Sequence, residues 1–95
     1  IETSVMLALA PDLVDMTKAR DFPSRQSEFT HDFAHLRAYG PHAFGWKMRD
    51  LNPDVAAGNA AAATAEKGHA LIAHAVKGFV ELLEDVHRFD VSSLD

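Results

Sequence analysis

The feature that most constrains the fold is one long stretch, residues 60–88, whose apolar side chains recur at helical spacing. The stripe consists of Ala65, Gly68, Ile72, Ala75, Phe79, Leu82 and Val86. Asn59 precedes it as a candidate N-cap, so the pattern predicts a helix from Ala60 to Arg88. Small residues in its first half would let a neighbouring backbone approach closely. The stripe has no obvious cover within these 95 residues, so burial against a partner is expected.

The remaining predicted elements are short. A helix is expected over residues 3–9, ended by Pro11, and an amphipathic helix over residues 26–37. Residues 43–48 are the best strand candidate, and Asn52-Pro53-Asp54 reads as a turn. This order of elements predicts an α/β piece. One strand cannot form a sheet, so its partners are expected elsewhere.

Composition excludes several classes of function. The formal net charge of −5 provides no basic surface for nucleic acid and disfavours anionic membranes. A hydrophobic fraction of 47% suits a globular chain rather than a disordered one. The sequence has no cysteine, which fits a reducing compartment, and a cytoplasmic location is expected. Because the first residue is isoleucine and already belongs to structured sequence, we expect a segment of a longer polypeptide.

Two segments carry recognisable motifs. The first is Glu2-Thr3-Ser4 with the VMLALAPDLV that follows, and the second runs from Gly58-Asn59 to Glu66-Lys67-Gly68. Both resemble the creatininase family, whose members carry His-Ala-Gly-x-x-Glu-Thr-Ser at a helix start and Gly-x-Gly-Asp-Pro-Ser-x-Ala-Thr-x-Glu-Lys-Gly further on. Asn59 and Ala60 replace the family's usual aspartate and proline, which indicates a divergent subgroup.

The resemblance extends from Glu2 to about Phe89 and implies that residues 1–95 are the C-terminal portion of a single creatininase-like domain. It further implies a three-layer α/β/α fold with a mostly parallel sheet and homo-oligomeric assembly. The implied reaction is hydrolysis of an amide-type C–N bond, as in creatinine, with zinc or manganese as cofactor. Most metal ligands of the family have no counterpart here. They are expected before Ile1, in the N-terminal part of the same protein.

Glu2 is the residue to which the resemblance assigns a catalytic role. In the family this glutamate lies in the active site, where it can orient substrate or move a proton. It can also bind the metal directly or contact one of the metal's ligands. Without the resemblance, a glutamate at a helix start simply stabilises the helix dipole. Thr3 and Ser4 are expected to cap the helix or to pack. Neither has an evident base partner in the chain, so a serine nucleophile is not predicted.

The histidines offer only half of a metal-binding pattern. His31 and His35 are four residues apart, which on a helix places both rings on one face. The intervening Asp32-Phe33-Ala34 lacks the glutamate of a zinc-protease helix, so an exposed helix face is the simpler interpretation. The others, which do not converge with this pair, are His42, His69, His74 and His87.

Two functions of different classes therefore remain open. The first is a metal-dependent amidohydrolase, with a peptidase of cofactor maturation as an alternative within the family. Trp46, with Phe44 and Tyr39, is a weak candidate for holding a planar amide, and core packing is the preferred explanation of these aromatic residues. The second is a non-catalytic remnant or association module that needs a partner chain to complete its fold.

Overall fold

Helices dominate the chain, and each strand is only two residues long. The computed structural model describes residues 1–95. The helices are α1 (Glu2–Leu9), α2 (Gln26–Asp32), α3 (Met48–Leu51) and α4 (Ala65–Arg88), and the strands are β1 (Asp21–Phe22) and β2 (Gly58–Asn59). Short 3₁₀ turns lie at Pro11–Leu13, Met16–Lys18, Ala60–Ala62 and Val91–Ser93. The chain divides into two compact units: residues 1–14 with 63–95, and residues 15–62.

The predicted three-layer α/β/α fold with a mostly parallel sheet is wrong for this structure. Its one sheet has two antiparallel strands, in which Asp21 pairs with Asn59 and Phe22 with Gly58. Strands this short have no sheet face that could bury a helix on each side. The chain is therefore a mostly helical structure rather than an α/β piece.

The strand predicted over residues 43–48 also does not form. Only Ala43 makes a ladder contact, a single parallel bridge to Arg37. At the other end, the Lys47 N–H donates to Asp50 Oδ2 at 2.7 Å, which starts helix α3 at Met48. The capping carboxylate three residues later favours the helix start over continued extension, and the sequence offers no neighbouring strand to compete with it.

The predicted first helix is confirmed, and α1 packs against α4 within one unit. Helix α1 ends at Leu9, one residue before Ala10 and two before Pro11, and Pro11 begins the following 3₁₀ turn. Helix α4 begins at Ala65, five residues later than predicted. Thr64 is its N-cap, and the Thr64 side chain accepts a hydrogen bond from the Lys67 N–H at 3.2 Å.

Asn59 caps a different element from the one predicted. Its Oδ1 accepts a hydrogen bond from the Ala62 N–H at 3.2 Å, and this bond closes the short 3₁₀ turn Ala60–Ala62. The alanines therefore precede the α-helix instead of forming its first turn. A threonine in extended conformation at position 64 gives the stronger start, because its side chain satisfies an otherwise unpaired helix N–H.

The second half of α4 leaves its apolar face uncovered. Val76, Phe79, Val80, Leu82, Leu83 and Val86 are each about half exposed or more. Gly78 has no neighbouring atom within 4 Å of an added Cβ, so no other segment packs closely on the helix at that position. The expectation that this stripe lacks a cover within residues 1–95 is confirmed. None of the helices is both long enough and apolar enough to cross a membrane.

The tail after α4 is more ordered than a plain extension. Asp90 caps the 3₁₀ turn Val91–Ser93 and accepts from the Ser92 hydroxyl at 2.7 Å and the Ser92 N–H at 2.9 Å. These two hydrogen bonds lower the pKa of the Asp90 carboxyl below its ordinary value. The bond from the Ser92 hydroxyl has the larger effect, and burial opposes both slightly. Both bonds are local and structural.

Residues 15–62 enclose a small core of their own. Phe29, Ala38 and Leu51 are buried, and Met48 packs against them. The Phe29 ring meets Phe44 edge-on, with centroids 5.5 Å apart. Asn52 is also buried, and its Nδ2 donates to the Pro23 carbonyl at 2.9 Å, which ties the turn to the segment that follows β1. The predicted turn at residues 52–54 is confirmed by the hydrogen bond from the Val55 N–H to the Asn52 carbonyl.

Helix α2 ends five residues before its predicted end at Arg37, because the Arg37 side chain satisfies the carbonyls beyond the break. The guanidinium donates to the carbonyls of Leu36 at 2.7 Å, Phe33 at 2.9 Å, and Phe29 and Ala34 at 3.4 Å. The Phe29 carbonyl also accepts the last helical hydrogen bond, from the Phe33 N–H at 3.0 Å, and the other three carbonyls lie beyond the helix, where the Arg37 guanidinium pairs them. Phe29 and Phe33 remain in contact, at 6.4 Å between centroids.

Arg37 is therefore expected to contribute measurably to stability. Replacing it with alanine removes several charge-assisted hydrogen bonds at once and should lower the free energy of unfolding by about 1–2 kcal/mol. Urea denaturation followed by circular dichroism measures this change. Arg49→Ala is the control, because this exposed arginine of α3 makes none of those bonds and should change stability by less than about 0.5 kcal/mol. Equal effects of the two substitutions would refute the role given to Arg37.

Candidate functional site

Glu2 lies in the first turn of α1 and is exposed. It takes part in none of the ion pairs of the structure. Its carboxylate is therefore available to a ligand rather than engaged in holding the fold together. The N-cap of α1 is Ile1 and makes no side-chain capping bond, so neither Thr3 nor Ser4 caps this helix, and Ser4 has the other role expected of it, in packing.

Ser4 instead connects the two motif segments. It is buried, with 3% of its surface exposed, and its Oγ accepts a hydrogen bond from the Thr64 N–H at 3.2 Å. This N–H belongs to the N-cap residue of α4, so one side chain ties the first turn of α1 to the start of α4. The segments from Glu2 to Ser4 and from Thr64 to Gly68, far apart in sequence, thus meet in space.

Gly68 sets how closely the two helices approach. A Cβ at this position would lie 1.9 Å from the Ser4 carbonyl oxygen and 2.9 Å from the Ala8 Cβ. Only a residue without a side chain fits there, because the nearest atoms belong to backbone that cannot rotate away. The prediction that small residues in the first half of α4 admit a close neighbour is confirmed, and that neighbour is α1.

The histidines do not form the arrangement that their spacing indicates. Because α2 ends at Asp32, His31 and His35 do not share a helix face, and that prediction is wrong. The His31 Nδ1 lies 2.7 Å from the Asp32 carboxylate, with both side chains exposed. His35 instead meets the His42 ring edge-on, at 5.7 Å between centroids.

Residues 1–95 do not provide a metal site. Nowhere do three or more histidine and carboxylate side chains lie close enough together to hold a metal ion. A catalytic zinc site normally takes three protein ligands and leaves one position for water or substrate. Glu2 alone cannot meet this requirement, so the donor set of these residues does not fit a zinc or manganese ion.

Trp46 is hydrogen-bonded to the core of its unit and remains partly exposed. Its Nε1 donates to the Ala38 carbonyl at 2.5 Å, and Ala38 belongs to the buried core of its unit. Phe44 lies edge-on to Phe29 in the same unit. Tyr39 differs from both, because it lines an open cavity of about 450 Å³. Of the three aromatic residues considered for substrate binding, Tyr39 is the one that lines this cavity.

Two contributors to this arrangement carried little signal in the sequence. Ser4 resembles an ordinary N-cap serine, and Thr64 lies inside an alanine-rich run that suggests a helix interior. The one sequence signal for their contact is that Ser4 and Thr64 belong to different motif segments of the same family pattern. Motif residues distant in sequence often meet in the fold, although spacing alone does not say which atoms touch.

Comparison with known proteins identifies one family. A model of the creatininase family, described as creatinine amidohydrolase, matches residues 1–83. The match includes both segments that Ser4 and Gly68 bring together. No curated protein and no solved structure matches the chain.

Proposed function

The chain belongs to the creatininase family, a family of amidohydrolases, and from this premise we propose that it contributes Glu2 to the active site of an enzyme that hydrolyses the amide-type C–N bond of a small cyclic substrate such as creatinine. The observation that carries the proposal is the contact between the two motif segments. The Ser4–Thr64 hydrogen bond and the close approach at Gly68 hold the first turn of α1 in place. Glu2 lies in that same turn, two residues before Ser4.

The chemistry open to Glu2 follows from its setting. An exposed carboxylate on a fixed helix turn can accept a proton from a water molecule that attacks the substrate carbonyl, and can return it to the leaving nitrogen. It can also hold a substrate N–H in a set orientation. Rigid attachment matters because displacing a catalytic group by about 1 Å can cost on the order of a hundredfold in rate.

Metal dependence is part of the proposal and rests on the family, which is generally metal-dependent. Because residues 1–95 do not form a metal site, we place the ligands for zinc or manganese in sequence outside these residues. The uncovered half of α4 supports a larger folded unit, since its apolar residues need a cover that residues 1–95 do not provide. In this view the chain is the C-terminal portion of one catalytic domain, which also assembles with copies of itself.

A substrate panel tests the proposal and separates it from the alternative within the family. The complete polypeptide should open the creatinine ring to creatine, while short peptides should be cleaved at least about tenfold more slowly per active site. Product detection by mass spectrometry distinguishes ring opening from peptide cleavage. Preferential cleavage of peptides would favour a peptidase of cofactor maturation, and an inactive, folded, metal-loaded polypeptide would contradict the hydrolase proposal.

The uncovered face of α4 also supports a second candidate function, a non-catalytic association module. Under this alternative the apolar residues from Val76 to Val86 bind another chain, and Glu2 has no catalytic role. Light scattering of residues 1–95 addresses it. Concentration-dependent association that is abolished by Phe79→Glu, combined with an inactive complete polypeptide, would favour the module over the enzyme.

A further inference from the structure

The second half of α4 carries an open groove along one of its sides. The groove has a volume of about 400 Å³ and is lined by Val80, Leu83, Glu84, His87 and Arg88. Val80 and Leu83 are each about half exposed, and the Arg88 guanidinium is already paired with Asp85 at 2.6 Å. The apolar lining is therefore open to a partner.

The residues around the groove repeat with the spacing of a helix that pairs with another helix. Val76, Val80, Leu83 and His87 follow one another at intervals of four, three and four residues. This alternation places their side chains in one continuous row, as in helices that pack together along their length. We call this row the α4 seam, and the groove forms its central part.

The two edges of the α4 seam differ in chemistry. On one edge, Phe79 and Val86 continue the exposed apolar surface. On the other edge lie Lys77 and Glu84, which are seven residues apart and have opposite charges. Glu84 takes part in none of the ion pairs of the structure, and Lys77 reaches Glu81 only at 4.0 Å, with both side chains exposed. Both charges are therefore available to a partner.

We propose that a second copy of this chain occupies the α4 seam, with the two α4 helices antiparallel about a two-fold axis. In such an interface every contact occurs twice, because the same surface is used by both copies. Val80 then packs on the partner's Leu83. The same register places Lys77 beside the partner's Glu84 and Glu84 beside the partner's Lys77, so two ion pairs form together.

The chemistry of the edges favours the antiparallel arrangement over a parallel one. In a parallel pair aligned residue for residue, opposite edges of the seam face each other, so Glu84 would meet the apolar side chain of the partner's Phe79. In the antiparallel pair each edge faces the same edge of the other copy. Phe79 then packs near the partner's Val86, and the charged edges are complementary. Opposed helix dipoles favour the same arrangement.

The pairing gives a surface and a register to the proposed assembly of the chain with copies of itself, and it rests on that part of the proposed function. It leaves α1 in place, because α1 packs on the first half of α4, around Gly68. Leu82 lies on the opposite side of α4 from Val80 and stays available to the rest of the catalytic domain.

The test measures self-association of the 95-residue chain by sedimentation equilibrium, with variants that reverse single charges. We expect a reversible dimer that grows no further, because a two-fold interface closes at two copies. Lys77→Glu and Glu84→Lys should each raise the Kd of the dimer by about tenfold, since each replaces two ion pairs with two like-charge contacts. The double variant exchanges the charges and should return the Kd to within about threefold of the wild-type value.

Glu81→Lys is the matched control, because it makes the same charge reversal on the side of α4 that faces away from the seam. It should change the Kd by less than about twofold, since it removes only an exposed pair within one chain. Circular dichroism of each variant checks that the helix content is kept.

Any of three results would overturn the proposal. The first is a chain that stays monomeric up to about 1 mM, a concentration at which even weak interfaces are populated. The second is a double variant that associates no more tightly than either single variant. The third is a Glu81→Lys effect equal to that of Glu84→Lys. Because the readout is mass rather than hydrolysis, failure of the dimer leaves the hydrolase proposal standing, and an inactive enzyme leaves the dimer standing.

Discussion

Replacing Glu2 with glutamine should lower the kcat of creatinine hydrolysis by about 10²–10⁴-fold in the complete polypeptide, with a much smaller change in KM. Glutamine keeps the size of the side chain but cannot accept a proton from water. The change is not expected to disturb the fold, because Glu2 is exposed and makes none of the chain's ion pairs. Its contribution to the dipole of α1 amounts to only about 0.3–1 kcal/mol.

Glu66→Gln is the matched control for this experiment. Glu66 is also an exposed glutamate in the first turn of a helix, and it also belongs to a motif segment. Steady-state kinetics of the two variants, with thermal melts to confirm folding, separate catalysis from helix stabilisation. If Glu2→Gln retains more than about a tenth of wild-type kcat, or if both variants lose activity equally, Glu2 is not the catalytic carboxylate.

Replacing Gly68 with alanine should cause the largest loss of stability of any single methyl group added to the chain. The new Cβ would meet the Ser4 carbonyl oxygen at 1.9 Å, so α1 and α4 would have to separate. Overpacking of this kind costs about 1–3 kcal/mol or more, and the better helix propensity of alanine returns only about 1 kcal/mol. We expect a net loss of about 2 kcal/mol, which corresponds to a fall in Tm of roughly 8–16 °C.

Gly78→Ala provides the control within the same helix. Nothing lies within 4 Å of an added Cβ at this position. Alanine's higher helix propensity should therefore act alone and raise the free energy of unfolding by up to about 1 kcal/mol. If α1 packs on α4 as described, thermal denaturation should show a lower Tm for Gly68→Ala and a higher Tm for Gly78→Ala. A neutral or stabilising Gly68→Ala would show that the helices do not approach as closely as described.

Local signals predicted helices α1 and α4 but missed the short helix α3. The apolar stripe and Pro11 indicated α4 and α1, because amphipathic spacing and proline act within a few residues of one another. Boundaries were less predictable. Helix α4 begins at Ala65 rather than Ala60, since the Thr64 side chain bonds the Lys67 N–H and the preceding alanines form a separate turn. Helix α2 ends early, at Asp32, and the Arg37 guanidinium pairs the carbonyls of Phe33 and Leu36 that follow it.

The sheet could not be predicted from the sequence. Residues 43–48 have the composition of a strand, but a strand depends on partners, and propensity does not specify them. The strands that do form, Asp21–Phe22 and Gly58–Asn59, are too short to leave any alternating pattern. The inferred parallel sheet came from the family resemblance rather than from these residues, and the structure does not contain it.

The candidate site was predictable in part. The motif containing Glu2 was evident in the sequence, and the family match over residues 1–83 agrees with it. The contact of Ser4 with Thr64 was not predictable, because it joins residues sixty positions apart through one hydroxyl. The histidine spacing was misleading, since His31 and His35 share a face only if α2 continues past Asp32, where it ends.

The most direct test of the central claim, that this chain belongs to a metal-dependent creatinine amidohydrolase, is a chelation and reconstitution assay. Creatine formation from creatinine is measured with the complete polypeptide as purified, after removal of metal by a chelator, and after addition of zinc or manganese. We predict activity in the first state, its loss in the second and its recovery in the third. Activity that survives complete metal removal would contradict metal dependence, and no creatine in any state from a folded protein would contradict the assigned reaction.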